Sequence, residues 1–304
     1  MISFRYHLVS IIAVFLALAL GILVGTTGLN GAILSDLKKQ VRTLRSETSS
    51  LRTSNDALTT VANNDEKFAS TYMTPILAGK LTGRTVAVIS APGTSSKIKS
   101  GANAALTAAG AKVVTEIQFS PNFTDPARAS DISSLLTTSP LPFGFQLPSS
   151  SDAAVQAGAE LGYVLSGRGK ATDLGQVLSS FSGLHMLSVN DNPQKAALAV
   201  VLSNGTFVKT DPQAKAMPSV VTELHAYGIK TVVAGDTLSA TQSGLTGAVR
   251  ADSTLSTSVS TVDNADSSIG QISTALALAG LVVGQTGQYG TGTGASSLFP
   301  PAAK

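Results

Sequence analysis

Arg84–Gly110 reads RTVAVISAPGTSSKIKSGANAALTAAG. It opens with an apolar, β-branched run, Arg84–Ser90, of the kind that fills a strand buried on both faces. The run breaks at Ala-Pro-Gly-Thr-Ser-Ser, a turn. Lys97–Ala109 then has helical composition and stops at Gly110, a residue type favoured just past a helix end. Strand, turn and helix in that order make the first half of a strand–helix–strand unit. Lys112–Phe119, KVVTEIQF, supplies the second strand.

Outward from this unit the alternation continues. Helices are expected over Asp125–Ser139, Asp152–Leu165 and Asp173–Phe181, with a Pro/Ser-rich loop over Pro140–Ser150. Ala196–Leu202 reads as a buried strand followed by an Asn204-Gly205 turn. Gln213–Tyr227 reads as helix kinked near Pro218, Ile229–Ala234 as strand, Val259–Val262 as a short strand, and Ser267–Val283 as helix. Repeated strand-then-helix order predicts an α/β layered domain with a mainly parallel sheet, here over residues 80–284.

The amino-terminal quarter is different. Leu8–Gly25, LVSIIAVFLALALGILVG, carries no charge and one polar side chain, Ser10. At about 1.5 Å per residue its 18 residues reach about 27 Å, close to the ~30 Å hydrocarbon core of a bilayer. Residues 1–30 are therefore read as a transmembrane anchor. Ala17-Leu18-Ala19 is a small-x-small site, so cleavage after Ala19 stays open. The apolar run continues past it, which favours an anchor that remains. Over residues 31–70 a seven-residue repeat follows. Leu37, Leu44, Leu51 and Leu58 share one heptad position, and Leu34, Val41, Thr48, Asn55 and Ala62 share another. This a/d seam predicts a coiled-coil stalk, and Asn55 on the seam favours a parallel dimer in register. A single amphipathic helix packed on its own domain is the alternative. Asn63–Leu81 is expected to link stalk and domain, with Pro75 interrupting any helix.

Positive charge near the span does not fix orientation. Arg5 precedes it, while Lys38, Lys39, Arg42 and Arg45 follow about ten residues beyond it. Counted literally, they place the stalk in the cytoplasm. Their distance reduces their weight, and we expect a single-pass protein with its globular part outside the cytoplasm. Membrane lipid is then the first partner, and an envelope protein a second.

Composition excludes several classes. The net charge of +3 is small, so nucleic acid is not an expected partner. With no cysteine there is no disulfide and no thiolate metal site. SAPGTSSK (Ser90–Lys97) lacks both phosphate-binding glycine spacings and reads as an ordinary strand-to-helix turn. Asp236, in AGD at a strand's carboxyl end, either faces a ligand or caps the next segment. His7, His185 and His225 are far apart, and no nucleophile motif occurs, so no enzyme is expected. No cofactor is expected either. Soft Cu(I) prefers thiolate and thioether, with imidazole also suitable. His185-Met186 is the one adjacent pair of such ligand types, and its plainer reading is a strand start with one side chain packed inward.

The end of the chain is Gly-rich. Residues 285–304 are read as a tail, disordered by composition or docked as a backbone strip. Asp263 and Asp266 bracket the expected helix start, where carboxylates favour the helix dipole. MISFRYHLVSIIAVFLALALGILVG, STVDNADSSIGQISTALALAGL and TGQYGTGTGASS together resemble the actinobacterial copper-transporter family, also called the MctB or copper transport outer-membrane protein family. The resemblance runs the length of the chain. It implies a cell-envelope protein of copper transport or homeostasis, with a copper ion as the transported species. It also implies that Asp263, Asp266, Gly287, Gln288, Tyr289 and Gly290 have a role that it does not specify. A membrane barrel would need many strands of about ten alternating residues and aromatic girdles. With no Trp and 5% aromatics, this chain does not read that way.

Overall fold

The computed structural model describes residues 4–206 and 213–301, so Met1–Ser3 of the opening motif and the last three residues of the tail lie outside the described residues. The chain divides into two compact units, one ending at Asp65 and one beginning at Glu66. Helix α1 spans Phe4–Leu77. In the first unit its Phe4–Thr26 stretch is long and apolar enough to cross a membrane and buries no side chain. Farther along, Leu37, Leu44, Leu51 and Leu58 are each more than half exposed.

In the second unit α1 is followed by β1 (Thr85–Ser90), α2 (Ser96–Ala108), β2 (Lys112–Phe119), α3 (Pro121–Thr124) and α4 (Ala129–Thr138). Then come α5 (Ala153–Leu165), α6 (Asp173–Gly183), β3 (Leu187–Val189), β4 (Leu198–Leu202), α7 (Gln213–Ala226) and β5 (Lys230–Ala234). The chain closes with α8 (Leu245–Ala251), α9 (Leu255–Ser258), β6 (Ser260–Val262), α10 (Ser268–Val282) and β7 (Gln288–Tyr289). Among the described residues the strands form one open seven-stranded sheet in the order β3-β2-β1-β4-β5-β6-β7. All neighbours pair parallel except β2 and β3.

Alternation along each strand fills two cores. Ala87, Ile89, Val201 and Val233 face the layer built from α4 to α9. Val86, Val88, Val200, Val232 and Val262 face α2, α10 and the last turns of α1. With both faces covered, β4 is apolar throughout and β5 is apolar from Val232 onward, which is why they read as runs and not as alternations.

Local chemistry sets the helix starts. Ser95, Asp152 and Ser267 each accept an N–H from the first turn of α2, α5 and α10. Glu66 adds a second cap to α10: its carboxylate accepts the Ser268 N–H and the Ser268 hydroxyl, both at 2.8 Å. The tightest helix pair is α5 on α7. A Cβ at Gly158 would lie 3.2 Å from the Val220 Cα, and one at Gly162 only 3.0 Å from the Glu223 carbonyl oxygen. The small-x-x-x-small spacing thus lets the two backbones approach.

Three expectations are corrected. The link over Asn63–Leu81 is helical as far as Leu77, and Pro75 does not interrupt it. Pro75 sits in the last turn, where it removes one N–H, and Ala69, Met73 and Leu77 bury beside it. The segment from Glu66 onward accordingly belongs to the α/β unit. The helix expected over Asp125–Ser139 starts as a 3-10 turn, Pro126–Arg128, capped by Asp125. The Gly-rich end takes the docked-strip reading of its two, and the separate domain boundary at 285 is what is corrected: residues 288–289 add a strand to the sheet.

Candidate functional site at the carboxyl edge of the sheet

In an open parallel sheet, ligands bind beyond the carboxyl ends of the strands, where the strand order reverses. Here that point lies between β1 and β4. The turn after β1 is closed by its own groups. Thr94 donates its hydroxyl to the carbonyls of Ala91 and Leu202, at 2.7 and 3.1 Å. The Asn204 side-chain oxygen accepts the Ser95 N–H at 2.8 Å. Asn204 thereby takes one of the N–H groups that a phosphate would use. Beside it, Asp236 accepts the N–H groups of Ser239 and Gly205, each at 2.9 Å. Asp236 is a cap, the second of its two readings.

The denser cluster is at the end of β6. Asp263 is fully buried and faces Arg250 of α8, with Nη1 at 2.9 Å from Oδ2. Asp263 Oδ1 also accepts the Thr291 N–H at 2.8 Å, and Oδ2 the Gly292 N–H at 2.9 Å. Arg250 donates further to the Thr261 hydroxyl, the Tyr289 carbonyl and the Thr293 carbonyl, all at 2.8 Å. One buried ion pair therefore fastens the Gly-rich segment to the sheet edge. Gly290 has φ +126, and a Cβ there would strike the Asp263 carboxylate, so only glycine passes.

Gln288 works on the same edge. Its amide oxygen accepts the Thr261 hydroxyl at 2.6 Å, and its amide nitrogen donates to Ser256 and Val259 carbonyls. Gly287 pairs with β6 through its carbonyl, which accepts the Thr261 N–H at 3.1 Å. Tyr289 is buried, and burial pushes its hydroxyl pKa up. Of the motif residues, Asp263, Gly287, Gln288, Tyr289 and Gly290 come together. Asp266 does not: it is exposed and makes no hydrogen bond or ion pair. Arg250 was missed in the sequence, because an arginine thirteen residues before its partner leaves no local pattern. The available signal was its isolation in a domain with few charges.

This cluster holds backbone; its carboxylate oxygens are already engaged and offer little to a metal. His185 and Met186 do not converge either. His185 is exposed, in a turn with φ +55, whereas Met186 is fully buried in the core. Met73 and Met217 are buried as well. Among the described residues no three His, Asp or Glu side chains are grouped to hold a metal ion.

Comparison with known proteins places this architecture in a family. The family described as "Copper transport outer membrane protein, MctB" matches residues 1–300. A protein of Mycobacterium tuberculosis named "Copper transporter MctB" is 29% identical over 98% of this chain and 99% of its own length. The protein of the same name from Mycobacterium leprae is 29% identical over 99% of this chain and 100% of its own. A match from the anchor-like helix through the Gly-rich edge strand means that the chain belongs to the MctB family of copper transport outer membrane proteins.

Proposed function

We propose that the chain is a membrane-anchored cell-envelope protein of copper transport or homeostasis, with copper as its cargo and no catalytic step. The whole-length match to relatives named as copper transporters carries this reading. Phe4–Thr26 serves as the single anchor, and the α/β unit lies outside the cytoplasm. The sheet is open and mainly parallel with helices on both faces, unlike a closed antiparallel membrane barrel, so this unit does not form a pore wall. The test is a clean deletion. Higher copper content or copper sensitivity, restored by the wild-type chain, supports the reading; unchanged copper handling refutes it.

A second reading, an envelope scaffold that captures a protein partner and has no direct copper site, is favoured by the exposed leucines of α1. Each would contribute about 1.5–3 kcal/mol if buried against a second helix. In a parallel dimer Glu47 meets Arg52 of a second copy across the seam; an antiparallel pair instead faces Lys38, Arg45 and Arg52 on each other. Because the chain has no cysteine, Leu51→Cys gives a clean cross-linking probe. A disulfide-linked dimer in membranes, abolished by Leu44→Pro, is expected. Monomer alone would remove the parallel stalk. Retained partner capture by Leu44→Pro would remove the scaffold reading.

A further inference from the structure

Away from the sheet edge, α4, α5 and α6 surround a half-open cavity of about 440 Å³. Its polar lining is Glu160, Asp173, Gln176, Ser139, Ser179 and Ser180, over a floor that includes Leu135 and Val177. Among the described residues no Lys, Arg or His side chain lines it.

Glu160 stands out. It is 5% exposed, and neither carboxylate oxygen has a hydrogen-bond or ion-pair partner. Buried carboxyl groups are ordinarily paired or hydrogen-bonded, because burial of an unpaired charge is expensive. Asp173, 6% exposed, is held differently. Its Oδ2 accepts the Lys170 and Phe143 N–H groups at 2.8 and 2.9 Å, while Oδ1 accepts nothing. Those backbone bonds hold Asp173 below the usual carboxylate range, so it is charged at neutral pH. The cavity thus contains one fixed negative charge and one carboxyl without a partner.

We propose that this cavity is a divalent-cation site in which Glu160 and Asp173 carry a hydrated, oxygen-preferring ion of the Mg²⁺ or Mn²⁺ class. The donor set is carboxylate, hydroxyl and side-chain amide, which suits hard cations and not Cu(I). The half-open volume leaves room for a hydrated ion. At about 30 Å³ per water, six waters fill about 180 Å³. A bare ion would leave the space nearly vacant, whereas an ion keeping several waters fits beside the two carboxylates.

Burial raises the Glu160 carboxyl to about 7, so a proton competes with the cation there. The charged groups around it are few. Asp173 faces it from α6. Lys170, before α6, has its ammonium 5.3 Å from the centre of the Phe143 ring. Glu223 of α7 lies behind α5, against Gly158 and Gly162, and α4 adds no charged side chain to the lining.

This inference does not rest on the copper reading, and Mn²⁺ keeps the two tests apart. The full-length chain in detergent is titrated with Mn²⁺ at pH 8 and followed by electron paramagnetic resonance. One Mn²⁺ per chain, displaced by excess Mg²⁺ and weakened at least tenfold by Glu160→Gln, is the expected result. Gln176 is exposed at the cavity wall, so substitution there leaves folding intact. Gln176→Glu should tighten Mn²⁺ and Gln176→Lys should weaken it, each several-fold. No Mn²⁺ bound, or equal affinity across these variants, overturns the proposal.

Discussion

Asp263→Ala tests whether one buried ion pair fastens the end of the chain. The substitution removes the acceptors of the Thr291 and Gly292 N–H groups and leaves Arg250 opposite a methyl group. The Arg250 side chain is 5% exposed, so water cannot replace the carboxylate without opening the edge. Removing one partner of such a pair costs about 3–5 kcal/mol. At about 2–4 °C per kcal/mol for a unit of this size, the melting temperature should fall by about 6–20 °C. Loss should begin locally, because β7 is only Gln288–Tyr289 and is held otherwise by few backbone bonds. Hydrogen exchange followed by mass spectrometry should show lost protection at Gly290 and Ser296, whose N–H groups bond across the segment. Asp266→Ala is the control from the same motif. It is exposed and unbonded, and should stay within about 0.5 kcal/mol. If the two alanine variants melt together and residues 288–297 stay protected in both, the pair is not the fastener.

Three further outcomes can be measured on the same protein. Gly162→Leu drives a side chain into the Glu223 backbone, and should cost about 1–3 kcal/mol in denaturant unfolding or prevent expression; a neutral effect would mean that α5 and α7 can separate freely. Glu66→Ala removes both bonds to Ser268 at the start of α10 and should cost about 1–2 kcal/mol, read by the same unfolding. Glu160 gives a pH signature. Its carboxyl is raised to about 7 in the fold, so the folded state holds more protons than the unfolded chain. Stability from this group is therefore complete below about 4.5 and declines as pH rises to about 7, by about 3 kcal/mol in all. Glu160→Gln should flatten that slope and raise stability at pH 8. Glu223, also raised by burial, leaves a residual slope of the same sign. Asp173, lowered from 3.8, acts only in acid and with the opposite sign. An unchanged slope in Glu160→Gln would show that its carboxyl is charged and solvated throughout.

How far the fold could be read followed from how local each cause was. Lys112–Phe119 was read with the bounds that β2 has, because Val113, Val114, Ile117 and Phe119 are β-branched or aromatic and favour a half-buried strand. The helices expected from Lys97, Asp152 and Ser267 begin within two residues of Ser95, Asp152 and Ser267, whose side chains cap them. Pro75 misled because proline's penalty depends on position: in a last turn already packed by Met73 and Leu77, one missing N–H does not end the helix. The Gly-rich end misled for a deeper reason. Composition counts what a segment can bury, and GQYGTGTG buries little of its own. What orders it is a carboxylate at Asp263 and a guanidinium at Arg250, supplied from 28 and 41 residues before Thr291. The same limit hid the cavity. Glu160 sits in the all-buried middle of α5, and Asp173 opens α6, thirteen residues on. Nothing in AELGY or TDLGQ states that two helices will turn these carboxyls toward one space, or that Phe143 will supply an N–H to one of them and nothing to the other. Sites assembled by packing are legible only after the packing. This chain's chemistry, with buried methionines and an exposed His185, is of that kind and not of the motif kind.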